Sequence, residues 1–300
     1  MTQTAIKIQD LQFSYGKKQV LKGVNLEVPQ GAIFGFLGRN GAGKTTTIKA
    51  LLGLQKPTSG SCTICGLDSF SESLKVRTRI GYMAEDQQMY GWMRVDQLIK
   101  WVGGFYAKWD ENFVAELLGV LRLDRTVKVK TLSKGQNSSL ALLLALGHHP
   151  ELVILDDPTL GLDPIARKDF LRHVIDLLQS QGVTVFFSSH LLYEIEPVAD
   201  HIAILDDGVI QKIGKTDELR ETVRKFVFTP EPTVDLAKLS DVLDVTHAGD
   251  QIAMTVEHCD ETKRAQIKAM SKNGVTETQL NLDEIFEAFV IGNRGQMVTV

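Results

Sequence analysis

The sequence predicts an α/β protein, with short buried strands carrying a phosphate-binding loop, and three stretches lead to that fold class. Residues 38–45 read GRNGAGKT and fit G-x-x-x-x-G-K-[ST], between a short apolar run and a helical pattern. Residues 152–155 (LVIL) run straight into Asp156-Asp157-Pro158, and residues 183–187 (VTVFF) into Ser188-Ser189-His190. Uninterrupted apolar runs of this length suit strands covered on both faces. Polar residues at their carboxyl ends stand where open α/β sheets bind ligands. With 300 residues, 43% hydrophobic and 23% charged, the chain has the composition of a globular protein with a substantial core.

In chain order, residues 6–13 alternate as a strand and break at Ser14-Tyr15-Gly16-Lys17, and residues 20–28 resume the alternation. Tyr15, beside a turn upstream of the glycine loop, suits stacking on a nucleotide base, an interaction worth about 1–3 kcal/mol. Residues 32–37 (AIFGFL), led in by Pro29-Gln30-Gly31, form the strand that enters the loop, and residues 46–54 the helix that leaves it. Strand, glycine loop and helix turn successive backbone N–H groups toward an anion. Gly38, Gly41 and Gly43 let the backbone approach phosphate, with Arg39, Asn40 and Ala42 between them and Thr46 opening the helix. Lys44 supplies charge near the β- and γ-phosphates, and the Thr45 hydroxyl is placed for Mg²⁺.

Residues 61–66 read as a strand at a sheet edge that carries Cys62 and Cys65, an isolated C-x-x-C. No second pair follows at zinc spacing, so these are two thiols in a strand. Residues 71–77 suggest a short polar helix and residues 79–84 (RIGYMA) a buried strand ending in Glu85-Asp86-Gln87-Gln88. Residues 95–102 and 113–121 are amphipathic at helical spacing, which makes the region of about 86–147 a helical subdomain. Ser133, in Leu132-Ser133-Lys134-Gly135-Gln136, suits the N-cap of a helix that contains the apolar run 140–146. Asp156 is the expected Walker B acid for Mg²⁺, and Asp157 stands where a carboxylate orients the attacking water. His190 ends its strand beside the expected position of the γ-phosphate. Residues 201–206 and 209–213 form a hairpin through Asp206-Asp207-Gly208.

Thr229-Pro230-Glu231-Pro232-Thr233 marks a domain edge, dividing the chain into a nucleotide-binding domain, 1–225, and a small α+β domain, 226–300. In the second domain, residues 242–246, 252–256 and 275–280 read as strands, and 261–270 and 282–291 as helices. The formal net charge of −4 gives no basic footprint for nucleic acid. The longest apolar run, 140–146, is too short to cross a bilayer, and residues 1–10 do not form a basic-then-apolar leader. These features and three cysteines predict a cytoplasmic location.

The ordered set of Tyr15, GRNGAGKTT, the loop at Glu85, LSKGQ, LVILDD, Gly161-Leu162-Asp163 and His190 resembles the ATP-binding cassette (ABC) ATPase subunits from Ile6 to about Leu219. The resemblance implies ATP and Mg²⁺ as ligands. Tyr15 is similar to the adenine-stacking residue, and His190 to the histidine that senses the γ-phosphate. Ser133, Gly135 and Gln136 look like the signature that meets ATP held by a second copy in a head-to-tail dimer. Asp163 looks like the interface acid. Three positions depart from the family pattern: Lys134 replaces a glycine of LSGGQ, and Glu85 replaces the usual glutamine, with Gln87 as a nearby substitute. Asp157 replaces the catalytic glutamate, keeping the carboxylate one methylene shorter, where an error of about 1 Å can lower a rate about a hundredfold.

The FYAKWDE run at 105–111, the LSKG signature and LDEIFEAFV at 282–290 resemble the branch that serves bacterial exporters with separate membrane chains. This implies two copies on the cytoplasmic face of a membrane beneath two integral membrane subunits. The helical subdomain and the Glu85 loop would receive their coupling helices. The implied activity is ATP hydrolysis driving transport; the alternative is an ATP-gated dimerisation switch that hydrolyses slowly. A soluble relative acting on ribosomes or DNA usually carries two cassettes in one chain, and the acidic balance disfavours it. The second domain is read as a dimer clamp or a regulatory unit.

Overall fold

A computed structural model describes residues 3–180, 182–231, 236 and 239–292. Its contacts form two compact units, Met1–Ala199 with Leu205–Ile210, and Asp200–Ile204 with Gln211–Val300. In the first unit, β1 (Thr4–Tyr15) and β2 (Lys18–Pro29) pair antiparallel, with Ile6, Ile8, Leu11, Leu21, Val24 and Leu26 turned into the core. Next come β3 (Ile33–Leu37), α1 (Lys44–Leu51), β4 (Ser59–Ile64) and the two-residue β5 (Leu67–Asp68). The strand order β2-β1-β4-β5 places β4 inside the sheet instead of at its edge. The short β5 has too few residues to announce itself in the sequence. Cys62 is buried in β4, and burial pushes its thiol up to about 12. That favours the protonated, unreactive form and suits a structural thiol.

The chain continues through α2 (Ser73–Arg79), β6 (Ile80–Met83), α3 (Val95–Gly103), α4 (Glu111–Val120), α5 (Lys134–Leu146), β7 (Leu152–Asp156), α6 (Pro164–Ser180), β8 (Thr184–Ser189) and α7 (Leu192–Ile195). Strands β3, β8, β7 and β6 lie side by side and parallel, and every residue of β3, β7 and β8 is buried. This is the state their unbroken apolar runs require. Their carboxyl ends therefore deliver Gly38, Asp156-Asp157 and Ser189-His190 to one edge of the sheet. Helices α3, α4 and α5 bury Val95, Leu98 and Ile99, then Val114, Leu117 and Leu118, then Leu140, Leu142 and Leu143. Asp110 caps α4 by accepting the N–H groups of Asn112 and Phe113.

A hairpin of β9 (His201–Asp206) and β10 (Val209–Lys215) follows, and its turn belongs to the first unit. The second unit adds α8 (Thr216–Thr222), β11 (Arg224–Phe228), β12 (Val242–Ala248), β13 (Gln251–Val256), α9 (Glu261–Ala269), β14 (Thr276–Gln279) and α10 (Leu282–Glu287). A π-helical turn, Ala288–Gly292, extends α10 to the end of the described residues. The antiparallel order β12-β13-β11-β14 buries Phe226, Phe228, Ile252, Met254 and Val256 under Ile267 of α9. A boundary at 225/226 would cut β11, whereas this unit takes in Asp200–Ile204 and the chain from Gln211 onward. Pro232 and Thr233 of the expected linker lie outside the described residues. Among the described residues no helix is long and apolar enough to cross a membrane.

Candidate functional site

The loop between β3 and α1 is shaped by backbone that side chains would obstruct. Gly43, the N-cap of α1, has φ 115°, and a Cβ there would stand 2.6 Å from Leu21 Cδ2. Because glycine caps the helix without a side-chain acceptor, the first-turn amides are left for an outside anion. Lys44 is buried at the first helical position, where its Nζ donates to the Gly38 carbonyl at 2.9 Å. Arg39, expected at the nucleotide, instead donates through Nε and Nη2 to Asp206 Oδ1 at 3.2 and 3.0 Å. Gly208 N–H also donates to the Ala42 carbonyl at 3.1 Å. The hairpin turn thus braces the phosphate loop from behind, a contact between residues too far apart in sequence to be anticipated.

A cavity of about 410 Å³ opens over this loop, lined by Asn40, Gly41, Gly43, Lys44, Thr45 and Thr46 together with Tyr15, Glu85 and Asp157. The Tyr15 hydroxyl donates to Gln55 Oε1 at 2.9 Å and its ring packs 4.9 Å from Phe13. Those contacts fix a half-exposed aromatic face at the cavity's mouth, a platform suited to a base.

Two carboxylates end β7 and differ in environment. Asp156 is fully buried; its Oδ1 accepts the Ser188 hydroxyl at 2.6 Å, while among the described residues Oδ2 has no hydrogen-bond partner of ordinary geometry, only the nearby Thr45 hydroxyl. Burial pushes its carboxyl above the usual range, the Ser188 hydrogen bond acts against that, and the charges of Asp157 and Glu85 add to it. A buried carboxylate with one orphaned oxygen, close to the Thr45 hydroxyl, fits a divalent cation that completes its shell with substrate phosphate and water. Ser188 was not foreseen. Its signal was the serine at a strand's carboxyl end opposite an acid.

Asp157 adopts φ 42° and donates its N–H to Ser188, 3.1 Å from both the carbonyl and the hydroxyl oxygen. Its Oδ1 accepts from His190 Nδ1 at 2.8 Å and from His190 N–H at 3.3 Å, and its Oδ2 lies 3.7 Å from Lys44 Nζ. With Nδ1 committed as donor, His190 has Nε2 left for another partner. Asp157, on the cavity wall beside Lys44, therefore links Lys44 to His190.

Gln87 does not substitute for Glu85. It has φ 42°, donates its amide to the Pro158 carbonyl at 3.3 Å and accepts the Ser138 hydroxyl at 2.9 Å. These bonds tie it to α5, so Glu85 is the loop residue that lines the phosphate cavity.

The remaining predicted residues lie apart from that cavity. Ser133 and Gln136 make a reciprocal capping box at the start of α5, and Gly135 sits in its first turn. Ser133 and Lys134 border a second cavity of about 440 Å³ with Glu85 and Gly161. The Lys134 side chain packs over Gly161, within 2.5 Å of where a Cβ would stand. Asp163 accepts the Ile165 N–H at 3.1 Å at the start of α6.

The family model described as "ABC transporter" matches residues 21–160. The chain is 39% identical over 226 residues to the bacitracin transport ATP-binding protein BcrA of Bacillus licheniformis, covering 75% of this chain and 74% of that one. It is 30% identical over 290 residues to the ABC transporter ATP-binding protein YtrB of Bacillus subtilis, covering 96% and 99%. A solved structure titled as an ATP-binding subunit of an ABC transporter aligns with TM-score 0.66 at 28% identity, over 73% of this chain and 92% of that one.

Proposed function

This chain belongs to the ABC transporter family, and on that premise we propose that it is the ATP-driven engine of an exporter whose membrane-spanning parts are other chains. It binds and hydrolyses ATP with Mg²⁺ as the family's cofactor. The exporter assignment draws on the relative named for bacitracin transport. The observation that carries the residue roles is the linkage of Lys44 and His190 through Asp157, with separations of 3.7 and 2.8 Å, where Lys44 and Asp157 line the cavity.

In the proposed reaction Tyr15 stacks on adenine, and the amides of the glycine loop hold the β- and γ-phosphates. Lys44 exchanges the Gly38 carbonyl and Asp157 for phosphate oxygens. Thr45 and Asp156 would hold Mg²⁺, which would supply positive charge to the phosphates during transfer. The attacking water gives a proton to Asp157 as its oxygen bonds to the γ-phosphorus. The bond from that phosphorus to the bridging oxygen breaks, and its electrons leave with ADP. His190 steadies Asp157 through Nδ1 and presents Nε2 to the γ-phosphate. Glu85 stands at the cavity rim as the sensor of metal or water.

The proposed partners are a second copy and integral membrane subunits, with the chain peripheral on the cytoplasmic face. A groove of about 530 Å³, bordered by Ile80, Met83, Met89, Val102, Tyr106 and Leu144, suits a helix from a membrane subunit. It adjoins the Glu85 loop through Asp86 and Gln87, so a segment seated there would press on the catalytic rim. The smaller C-terminal unit is proposed as an accessory to the nucleotide-binding domain.

The engine is tested at Lys44. Lys44→Ala is expected to lower steady-state Mg-ATPase of the purified chain by about a hundredfold or more, as loss of a preorganised charge contact does. Wild-type turnover in that variant would sink the assignment.

A further inference from the structure

The phosphate loop is held from outside its cavity by one hairpin turn. Residues 205–208 lead β9 into β10, and Asp207 at φ 46° and Gly208 at φ 77° are the two left-handed residues of a tight hairpin connection. The turn is itself fixed to β2: Lys22 N–H donates to the Gly208 carbonyl at 2.9 Å, and a Cβ on Gly208 would stand 2.1 Å from the Val20 carbonyl oxygen. It meets the loop at both ends and in between. A Cβ on Gly38 would stand 2.6 Å from the Leu205 carbonyl oxygen, and Gly208 N–H donates to the Ala42 carbonyl at 3.1 Å. Between those backbone contacts Arg39 donates through Nε and Nη2 to Asp206 Oδ1 at 3.2 and 3.0 Å.

Arg39 and Asp206 do not line the nucleotide cavity. Asp206 is only 7% exposed, and a buried carboxylate paired with a guanidinium resists the loss of its partner. The chain that this pair fastens is one that would otherwise move freely. Gly41 and Gly43 sit at φ 83° and 115°, and glycine loses more conformational freedom than any other residue when it is held at one backbone geometry. A loop that left these angles would have to be ordered again whenever phosphate bound. Fixing the backbone of one residue corresponds to about tenfold in affinity, so ties that order the loop beforehand pass directly into nucleotide binding.

We propose that Arg39 and Asp206 are positioning residues for ATP: their ion pair presets the phosphate loop and so sets nucleotide affinity without touching the nucleotide. The backbone contacts on either side of the pair speak for a brace and against a device that withholds Arg39 from phosphate, because a withheld side chain needs no backbone ties. Asp157 and His190 are held by Ser188 and by each other, none of them part of the hairpin. The brace therefore acts on binding and leaves the chemical step alone. This inference rests on the reading of the cavity as an ATP site.

The test uses the purified full chain, a fluorescent ATP analogue and Mg-ATPase kinetics. Arg39→Ala and Asp206→Asn are each expected to raise the Kd of the analogue and the KM for ATP about tenfold, with kcat within about twofold of wild type. The double variant should bind no more weakly than the weaker of the two single variants, as for residues that act as one unit. Hydrogen exchange adds a readout that general loosening would not give. Amides of residues 39–43 should exchange faster than in wild type when nucleotide is absent and equally when ATP is saturating, while those of β7 and β8 stay unchanged in both states. Melting curves show whether each variant is folded, and either single variant alone decides the matter if the other is not. Wild-type affinity in the variants, additive losses in the double variant, or a fall in kcat at unchanged KM would overturn the proposal. So would tighter binding by Asp206→Asn, which would mean that Asp206 withholds Arg39 from phosphate. Failure of the wild-type chain to bind the analogue would sink the ATP reading and this inference with it, whereas equal binding by wild type and variants sinks the inference alone.

Discussion

Asp157 is the residue on which the proposed hydrolysis turns. Its backbone is fixed at φ 42° by two contacts from its N–H to Ser188, and its carboxylate is shared between His190 at 2.8 Å and Lys44 at 3.7 Å. A carboxylate held that firmly close to the phosphate loop must be released from Lys44 when phosphate arrives, yet it keeps His190 as its guide. If it is the proton acceptor, Asp157→Asn removes general-base catalysis and should lower turnover about a hundredfold or more. Asp157→Glu keeps the carboxylate with a longer reach and should stay within about tenfold of wild type. Steady-state Mg-ATPase of the two variants decides the matter. A neutral Asn together with a strongly activating Glu would turn the engine into a slow switch.

Among the elements, the exit of α5 carries a titratable weak point. His148, just past the Gly147 C-cap, is buried with its ring 4.0 Å from that of Tyr106 and its Nε2 3.0 Å from the Ile80 carbonyl. Among the described residues Nδ1 has no partner, and burial holds the pKa below the ordinary histidine value, with the Ile80 carbonyl opposing and His149 assisting. The fold therefore favours neutral imidazole, whereas the unfolded chain takes up a proton near pH 6.5. Stability is thus complete above that pH and declines as pH falls below it, by at most about 1.4 kcal/mol per pH unit. His148→Phe keeps the ring stack, and its melting temperature should fall less than that of wild type between about pH 7.5 and 5.5. Parallel curves for the two proteins would refute this.

The same element shows what sequence can carry. The capping box of Ser133 and Gln136 and the apolar run after it are local signals, and so are the unbroken runs of β3, β7 and β8. Helix α6 was also written locally, with Pro164 at its first position and Phe170, Leu171, Val174, Ile175 and Leu178 on its buried face, but its charged residues masked the period. Strand β11 was hidden by the prolines at 230 and 232, although Phe226 and Phe228 alternate into the second unit's core. The Arg39 bond to Asp206 and the ties of Gln87 to Ser138 and Pro158 join distant positions and leave no local pattern. The site's residue types were therefore legible, and its partnerships were not.

For the whole molecule, the decisive geometry is the separation of two half-sites in one chain. The cavity over Lys44 is lined by none of Ser133, Gly135 and Gln136, and Ser133 borders a different cavity. ATP seated on the phosphate loop consequently meets no signature residue of its own chain at that cavity. In the proposed pair a second copy turned head to tail would supply one, and the arrangement would be satisfied twice over by symmetry. Closure of that proposed pair would need both nucleotides and both signatures. Asp157→Asn, which slows hydrolysis without removing the phosphate contacts, should with Mg-ATP run at twice the 33.2 kDa chain mass in size-exclusion chromatography with light scattering. Adding Ser133→Arg should return it to the single mass, while equilibrium dialysis still finds one nucleotide bound per chain. If the double variant pairs as tightly as its parent, the signature lies outside the interface, and ATP is completed by residues of one copy alone.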